Sequence, residues 1–260
     1  SNVVSRSQPC SGATCGRNTA DRPPFFRTMP SIPMRMSCHE ATDDGAVSAE
    51  IDNDPFLPLV LAAEHSERLE LMTSIAVAFA RSPMTLAQTG HDLNAFSKGR
   101  FILGLGSQIR PHITKRFSMP WSKPAARMRE FILAMRAVWE CWYGGKPLDF
   151  RGEFYTHTLM TPMFTPQDVA YGAPRVMLAG VGPRMTEVAA EVADGLIAHA
   201  FTTRRYFEEV TLPAVERGLE RAGRARSDFE VACPVFVVSG ADEAARAVSR
   251  TAIRQQIAFY

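Results

Sequence analysis

PRVMLAGVGPRMTEVAAEVADG, residues 174–195, is the stretch whose reading decides the fold. It begins as a short apolar strand at Val176, Met177 and Leu178, turns at Gly180 and Gly182, and continues as a helix opened by Pro183. Proline suits a first helical position, because its missing N–H would have had no partner inside the helix. Met185, Val188, Ala189, Val192 and Ala193 then recur at the spacing of one buried helix face. The alanines let that face lie close on a sheet. Asp194-Gly195 ends the helix, since glycine readily takes the left-handed conformation beyond a last turn, and a new apolar run starts at Leu196. The start of the helix carries the chemistry. Gly180 and Gly182 leave no side chains to screen its free N–H groups, which together with the helix dipole favour an anion, most often a phosphate. Standing alone, such a turn is more often a tight connection than a ligand site.

Similar units flank this one. GAVSAE (45–50) reads as a strand leading to Asp54, which is expected to cap a helix with Pro55 at its first position. LELMTSIAVAF (69–79) is a β-prone run, and Ser82-Pro83 opens a helix that stops at Lys98-Gly99. GRFILGLGSQ (99–108) is a strand with Gly104 and Gly106 near its end, where glycine marks a bend or a close approach. Pro124 opens a long helix whose stripe of Met128, Phe131, Ile132, Met135, Val138, Trp139 and Trp142 reads as core. Residues 144–174 mix aromatics, threonines and prolines as a hairpin or extended insertion would. A helix over about 203–222, kinked at Pro213, a strand in FEVACPVFVVSG (229–240) and an amphipathic helix from Asp242 complete the chain. Six strands thus alternate with six helices, which argues for a parallel sheet wrapped by helices, either doubly wound or a (β/α)8 barrel. A dinucleotide fingerprint is weak here, because Met185 replaces its third glycine and LIAHAF ends without a carboxylate.

Composition excludes several classes. The formal net charge of +2 is spread among mixed charges rather than gathered into a nucleic-acid patch. No apolar run is long enough to cross a bilayer and no signal peptide is evident, so a cytoplasmic protein is expected. Cys10, Cys15 and Cys38-His39 lack the paired short spacings of a zinc site, and no metal is expected. Residues 1–44, rich in proline and without periodicity, read as irregular or disordered.

TSIAVAFARSPMTLAQ (73–88), GRFILGLGSQ (99–108), RGEFYTHTLMTP (151–162) and LAGVGPRMTEVAAEVADG (178–195) occur here in an order and spacing that resemble the luciferase-like monooxygenase superfamily. The resemblance is particularly to its branch of oxidoreductases dependent on coenzyme F420, a deazaflavin. The resemblance runs from about residue 44 to 260 and implies a (β/α)8 barrel with the cofactor at the C-terminal mouth of the strands. With about six strand-helix units present, it implies an incomplete barrel over 45–260, with an atypical segment before it and a truncated C-terminal end.

Residue by residue, it implies a non-prolyl cis peptide at Ser74-Ile75 backing the cofactor ring. Gly106, Ser107 and Gln108 match a loop beside the ring, and Ala179, Gly180, Val181, Gly182 and Pro183 match a phosphate-binding turn. Some deazaflavin-dependent members carry a histidine where Glu50 stands and a glutamate where Ile109 stands. Glu50 is the first acid or base candidate, followed by His112 and His199. The expected partner is a small-molecule substrate, and a homodimer stays open. Two other readings stand beside the F420-dependent one: a flavin mononucleotide (FMN) monooxygenase, and a non-catalytic flavin-binding or scaffold protein, in effect an inactive fragment.

Overall fold

The computed structural model describes residues 45–259, so segment 1–44, expected to be irregular or disordered, and with it Cys10, Cys15, Cys38 and His39, lie outside the described residues. The chain forms two compact units, Ala41–Val237 and one that includes Val238–Tyr260.

The larger unit is built on one parallel sheet. Strands β1 (Gly45–Ser48), β2 (Glu70–Thr73), β4 (Phe101–Gly106), β7 (Arg175–Ala179), β8 (Gly195–Ile197) and β9 (Glu230–Ala232) lie side by side in that order, and β3 (Ala76–Val77) pairs with β4. Helices α1 (Leu57–Glu64), α2 (Pro83–Phe96), α3 (Pro124–Gly144) and α4 (Pro183–Val192) connect them. Parallel pairing needs such crossovers, and it puts every C-terminal strand end on the same edge of the sheet.

Alternation along the strands divides the apolar residues between two faces. Phe101, Leu103, Leu105, Val176, Leu178 and Leu196 join the large core with the helices, including the predicted α3 stripe from Met128 to Trp142. Ile102, Met177 and Ile197 form a smaller cluster on the other face, with Met72, Ile75, Ala179 and Ala232 packed against it.

The expected single strand over 69–79 is divided. β2 ends at Thr73, the Ser74–Ile75 peptide bond is cis where the resemblance implied it, and β3 runs into a 3-10 turn at Ala78–Ala80. A side chain takes over from the backbone ladder at this break. The Thr73 hydroxyl donates to the Gly104 carbonyl at 2.7 Å and accepts the Gly104 N–H at 2.9 Å.

Other boundaries shift for local reasons. Asp54 accepts the N–H groups of Phe56 and Leu57, but the helix begins at Leu57 with Pro58 in its opening turn, not at Pro55. The strand expected over 229–240 is confined to β9, because Pro234 has no N–H to donate to a ladder. The helix expected over 203–222 is α5 (Arg204–Tyr206), a five-residue π turn (Phe207–Thr211) and α6 (Leu212–Ala222). Pro213 cannot donate to the residue four before it, and the π turn absorbs the mismatch in front of it.

The insertion is a small antiparallel hairpin of β5 (Phe150–Arg151) and β6 (Thr156–His157), followed by a 3-10 turn at Pro162–Phe164. Its anchor is the half-buried carboxylate of Glu130 on α3. That group accepts the N–H groups of Glu153, Phe154 and Tyr155 at 2.9, 2.6 and 2.7 Å. In the second unit, α7 (Glu243–Phe259) is capped by Asp242, whose carboxylate accepts the Ala245 N–H at 2.7 Å.

Candidate functional site

The parallel sheet gathers the residues singled out from the sequence at its C-terminal edge. Glu50 follows β1, Ser74 and Ile75 follow β2, and Ser107 and Gln108 follow Gly106, the last residue of β4. Ala179 ends β7 and leads into Gly180, Val181, Gly182 and Pro183, while His199 stands just past β8. Hydrogen bonds tie neighbouring strand ends together: Glu50 N–H to the Ile75 carbonyl at 3.3 Å, and Gly180 N–H to the Ile197 carbonyl at 3.2 Å. His112 stands apart, exposed at the start of a π turn (His112–Arg116) beyond the β4 loop.

Ile75 and Gly106 touch. A side-chain carbon placed on Gly106 would fall 2.7 Å from Ile75, so the glycine is what lets the isoleucine lie across the end of β4. The result is an apolar surface beside Ser107, whose neighbour Gln108 takes a left-handed conformation at φ 58°.

The turn after β7 keeps its opening free. Gly182 is the N-cap of α4, and its carbonyl accepts the N–H groups of Met185 and Thr186 at 3.1 Å. A side-chain carbon on Gly182 would meet nothing within 4 Å, whereas one on Gly180 would press on Leu196 and Thr186 at 3.1–3.3 Å. Val181, Gly182 and Arg184 are exposed, and among the described residues the Gly182 and Arg184 N–H groups have no protein acceptor. This is the geometry in which a helix start receives an anion. Tyr206 of α5 reaches the same turn, its hydroxyl donating to the Val181 carbonyl at 3.1 Å. No sequence signal pointed to Tyr206, since its approach depends on how the chain returns after β8.

Glu50 has a nearly buried carboxylate that is already engaged, accepting the Val77 N–H at 2.7 Å and pairing with Arg81 at 2.6 Å. Arg81, in the quoted AFAR run, was missed because the sequence does not show that it folds back to β1. His199 is half-buried. Its ring stacks on Phe201 at 5.1 Å between centroids, and its Nδ1 accepts the Phe201 N–H at 3.2 Å. Phe201 in turn meets Phe236 edge to face at 5.3 Å.

Burial holds the His199 pKa below the ordinary 6.5, which favours neutral imidazole with its proton on Nε2. Because the folded value is depressed, His199 stabilises the fold above pH 6.5, and that contribution fades as pH falls through its folded pKa. An NMR titration of this ring is expected to give a midpoint below 6.5, and a midpoint at or above 6.5 would refute the assignment.

Among the described residues, no group of three His, Cys, Asp or Glu side chains could hold a metal ion, and no helix is long and apolar enough to cross a membrane.

Comparison with known proteins agrees with this architecture. A family model described as luciferase-like monooxygenase matches residues 40–260. An uncharacterised protein of Mycobacterium tuberculosis is 61% identical over 84% of this chain and 64% of its own length. An F420-dependent glucose-6-phosphate dehydrogenase of Intrasporangium calvum is 30% identical over 66% of this chain and 51% of its own length. The chain therefore spans between about half and two thirds of the length of these relatives. The solved structure of an F420-dependent secondary alcohol dehydrogenase in complex with an F420-acetone adduct superposes with a TM-score of 0.62. Its identity is 21%, over 72% of this chain and 58% of that one, and it supports the barrel-type fold.

Proposed function

Because the chain belongs to the luciferase-like monooxygenase family, we propose that it is an oxidoreductase that uses a deazaflavin of the F420 type to move hydride to or from a small organic substrate. The observation that carries the reading is the open turn of Gly180, Val181 and Gly182 at the start of α4, on the same sheet edge as Ile75, Gly106 and His199. Exposed N–H groups and the helix dipole suit the cofactor's phosphate, and the 30% identical F420-dependent relative favours the deazaflavin over other phosphate-bearing groups.

The residues present fit such a group. Ile75, lying against Gly106, offers an apolar wall for a flat ring, and Ser107 and Gln108 offer polar atoms at its rim. When bound, the cofactor supplies a ring carbon that accepts or donates hydride. The chain's own part is to bind the phosphate at the turn and to hold the ring against Ile75, with the His199 ring on the same sheet edge. Glu50 and His112 remain the other acid or base candidates, Glu50 with its carboxylate shared with Arg81 and His112 at the exposed rim.

The test is a fluorescence titration of the protein with coenzyme F420 and with FMN. F420 is expected to bind, and Gly182→Val is expected to weaken it at least tenfold, about 1.4 kcal/mol. The fold should survive, because Gly182 is exposed and its first added carbon meets nothing within 4 Å. Tight binding of FMN instead would favour the monooxygenase reading implied by the family's description. Binding of neither would leave a non-catalytic protein.

A further inference from the structure

Arg81 makes the contacts that fix one wall of the strand mouth. Its Nη1 donates to the Glu50 carboxylate at 2.6 Å and to the Val77 carbonyl at 3.2 Å, its Nη2 lies 3.5 Å from Asp54, and its guanidinium covers the Phe56 ring at 5.4 Å. The Glu50 oxygen that receives Arg81 also accepts the Val77 N–H at 2.7 Å. On either side the wall is tied to the β1 end by main-chain bonds, Glu50 N–H to the Ile75 carbonyl at 3.3 Å and Ser74 N–H to the Ser48 carbonyl at 2.7 Å. The Glu50 side chain is 8% exposed and that of Arg81 19%.

We infer that Arg81 is a positioning residue for the cofactor ring: it orients Glu50, and Glu50 with it sets Ile75 and Val77, so that Ile75 lies across Gly106 at the face the ring would use. The inference rests on the cofactor reading given above. A carboxylate this little exposed keeps its direction because a cation and an N–H share it. Without the guanidinium it is free to turn toward water, and the Val77 N–H then loses a fixed acceptor. Lysine in place of Arg81 would restore the charge but not the two-nitrogen fork, whose Nη1 serves Glu50 and the Val77 carbonyl while Nη2 faces Asp54.

The experiment compares the wild-type chain with Arg81→Lys and Arg81→Met, following hydrogen exchange of the segment 74–78 and affinity for coenzyme F420 by fluorescence titration. Arg81→Met is expected to speed exchange in that segment at least tenfold, to leave exchange in β7 unchanged, and to weaken F420 at least tenfold. Arg81→Lys should fall between. The double variant Glu50→Leu with Arg81→Met removes the unpaired buried charge, so its thermal midpoint should recover relative to Arg81→Met. If its F420 affinity recovers as well, Arg81 serves stability alone and the inference fails. It also fails if Arg81→Met binds F420 as the wild type does. Absence of F420 binding in the wild type would instead overturn the cofactor reading, and that result is seen before any variant is made.

Discussion

Replacing Gly104 with alanine is expected to cost the protein most of its folding stability. A side-chain carbon there would lie 1.7 Å from the Thr73 carbonyl oxygen and 3.2 Å from the end of Ile197. The first contact is with the backbone of the neighbouring strand, which cannot step aside as a flexible side chain can. β2 and β4 would have to part, breaking both hydrogen bonds between the Thr73 hydroxyl and Gly104. Overpacking of a core side chain usually costs about 1–3 kcal/mol, and parting two central strands adds to that. A loss of more than about 4 kcal/mol is expected, set against a total of roughly 5–15 kcal/mol for a typical domain. Urea unfolding measures it, with Gly182→Ala as the control whose added carbon meets nothing. Equal midpoints for the two variants would mean that the strands do not approach so closely.

Glu130→Ala should release the hairpin of β5 and β6 from α3. One carboxylate receives three successive N–H groups, and Gly152 lies so close that a side-chain carbon on it would fall 2.1 Å from the carboxylate. Hydrogen bonds to a charged group contribute about 1.5–3 kcal/mol each when buried. This group is half-buried and its freed N–H groups can find water, so about 2–4 kcal/mol is expected for the set. Arg127 still holds Tyr155 through its hydroxyl at 3.0 Å, which keeps the loss local. Amide exchange over residues 150–157 should rise on the order of a hundredfold while α3 stays protected. Unchanged exchange in the hairpin would show that Glu130 is not its anchor.

The parts of the fold that were legible in the sequence are those whose signal is local. The α3 stripe, the Ser82-Pro83 start of α2 and the glycine turn before α4 each carry their cause within a few residues, and each stands where it was expected. The break after Thr73 was not legible from periodicity, because it depends on a hydroxyl meeting a glycine 31 residues later. Strand ends placed most of the candidate site at one edge, since topology alone collects them. Which side chains are already engaged there was hidden, because pairs such as Glu50 with Arg81 and Tyr206 with Val181 join segments far apart in the chain.

The π turn between Tyr206 and Leu212 has a consequence for chain length. A π turn houses one residue more than an α-helix needs over the same rise, and each residue turns the helix by about 100°. That extra residue sets the phase between Tyr206, which reaches the turn at Val181, and the α6 face that buries Val215 and Leu219. A related chain one residue shorter between positions 207 and 211 could keep the buried face or the tyrosine contact, but not both. A single-residue gap in this turn therefore marks a change at the strand mouth, whereas a gap of the same size in a surface loop carries no such meaning.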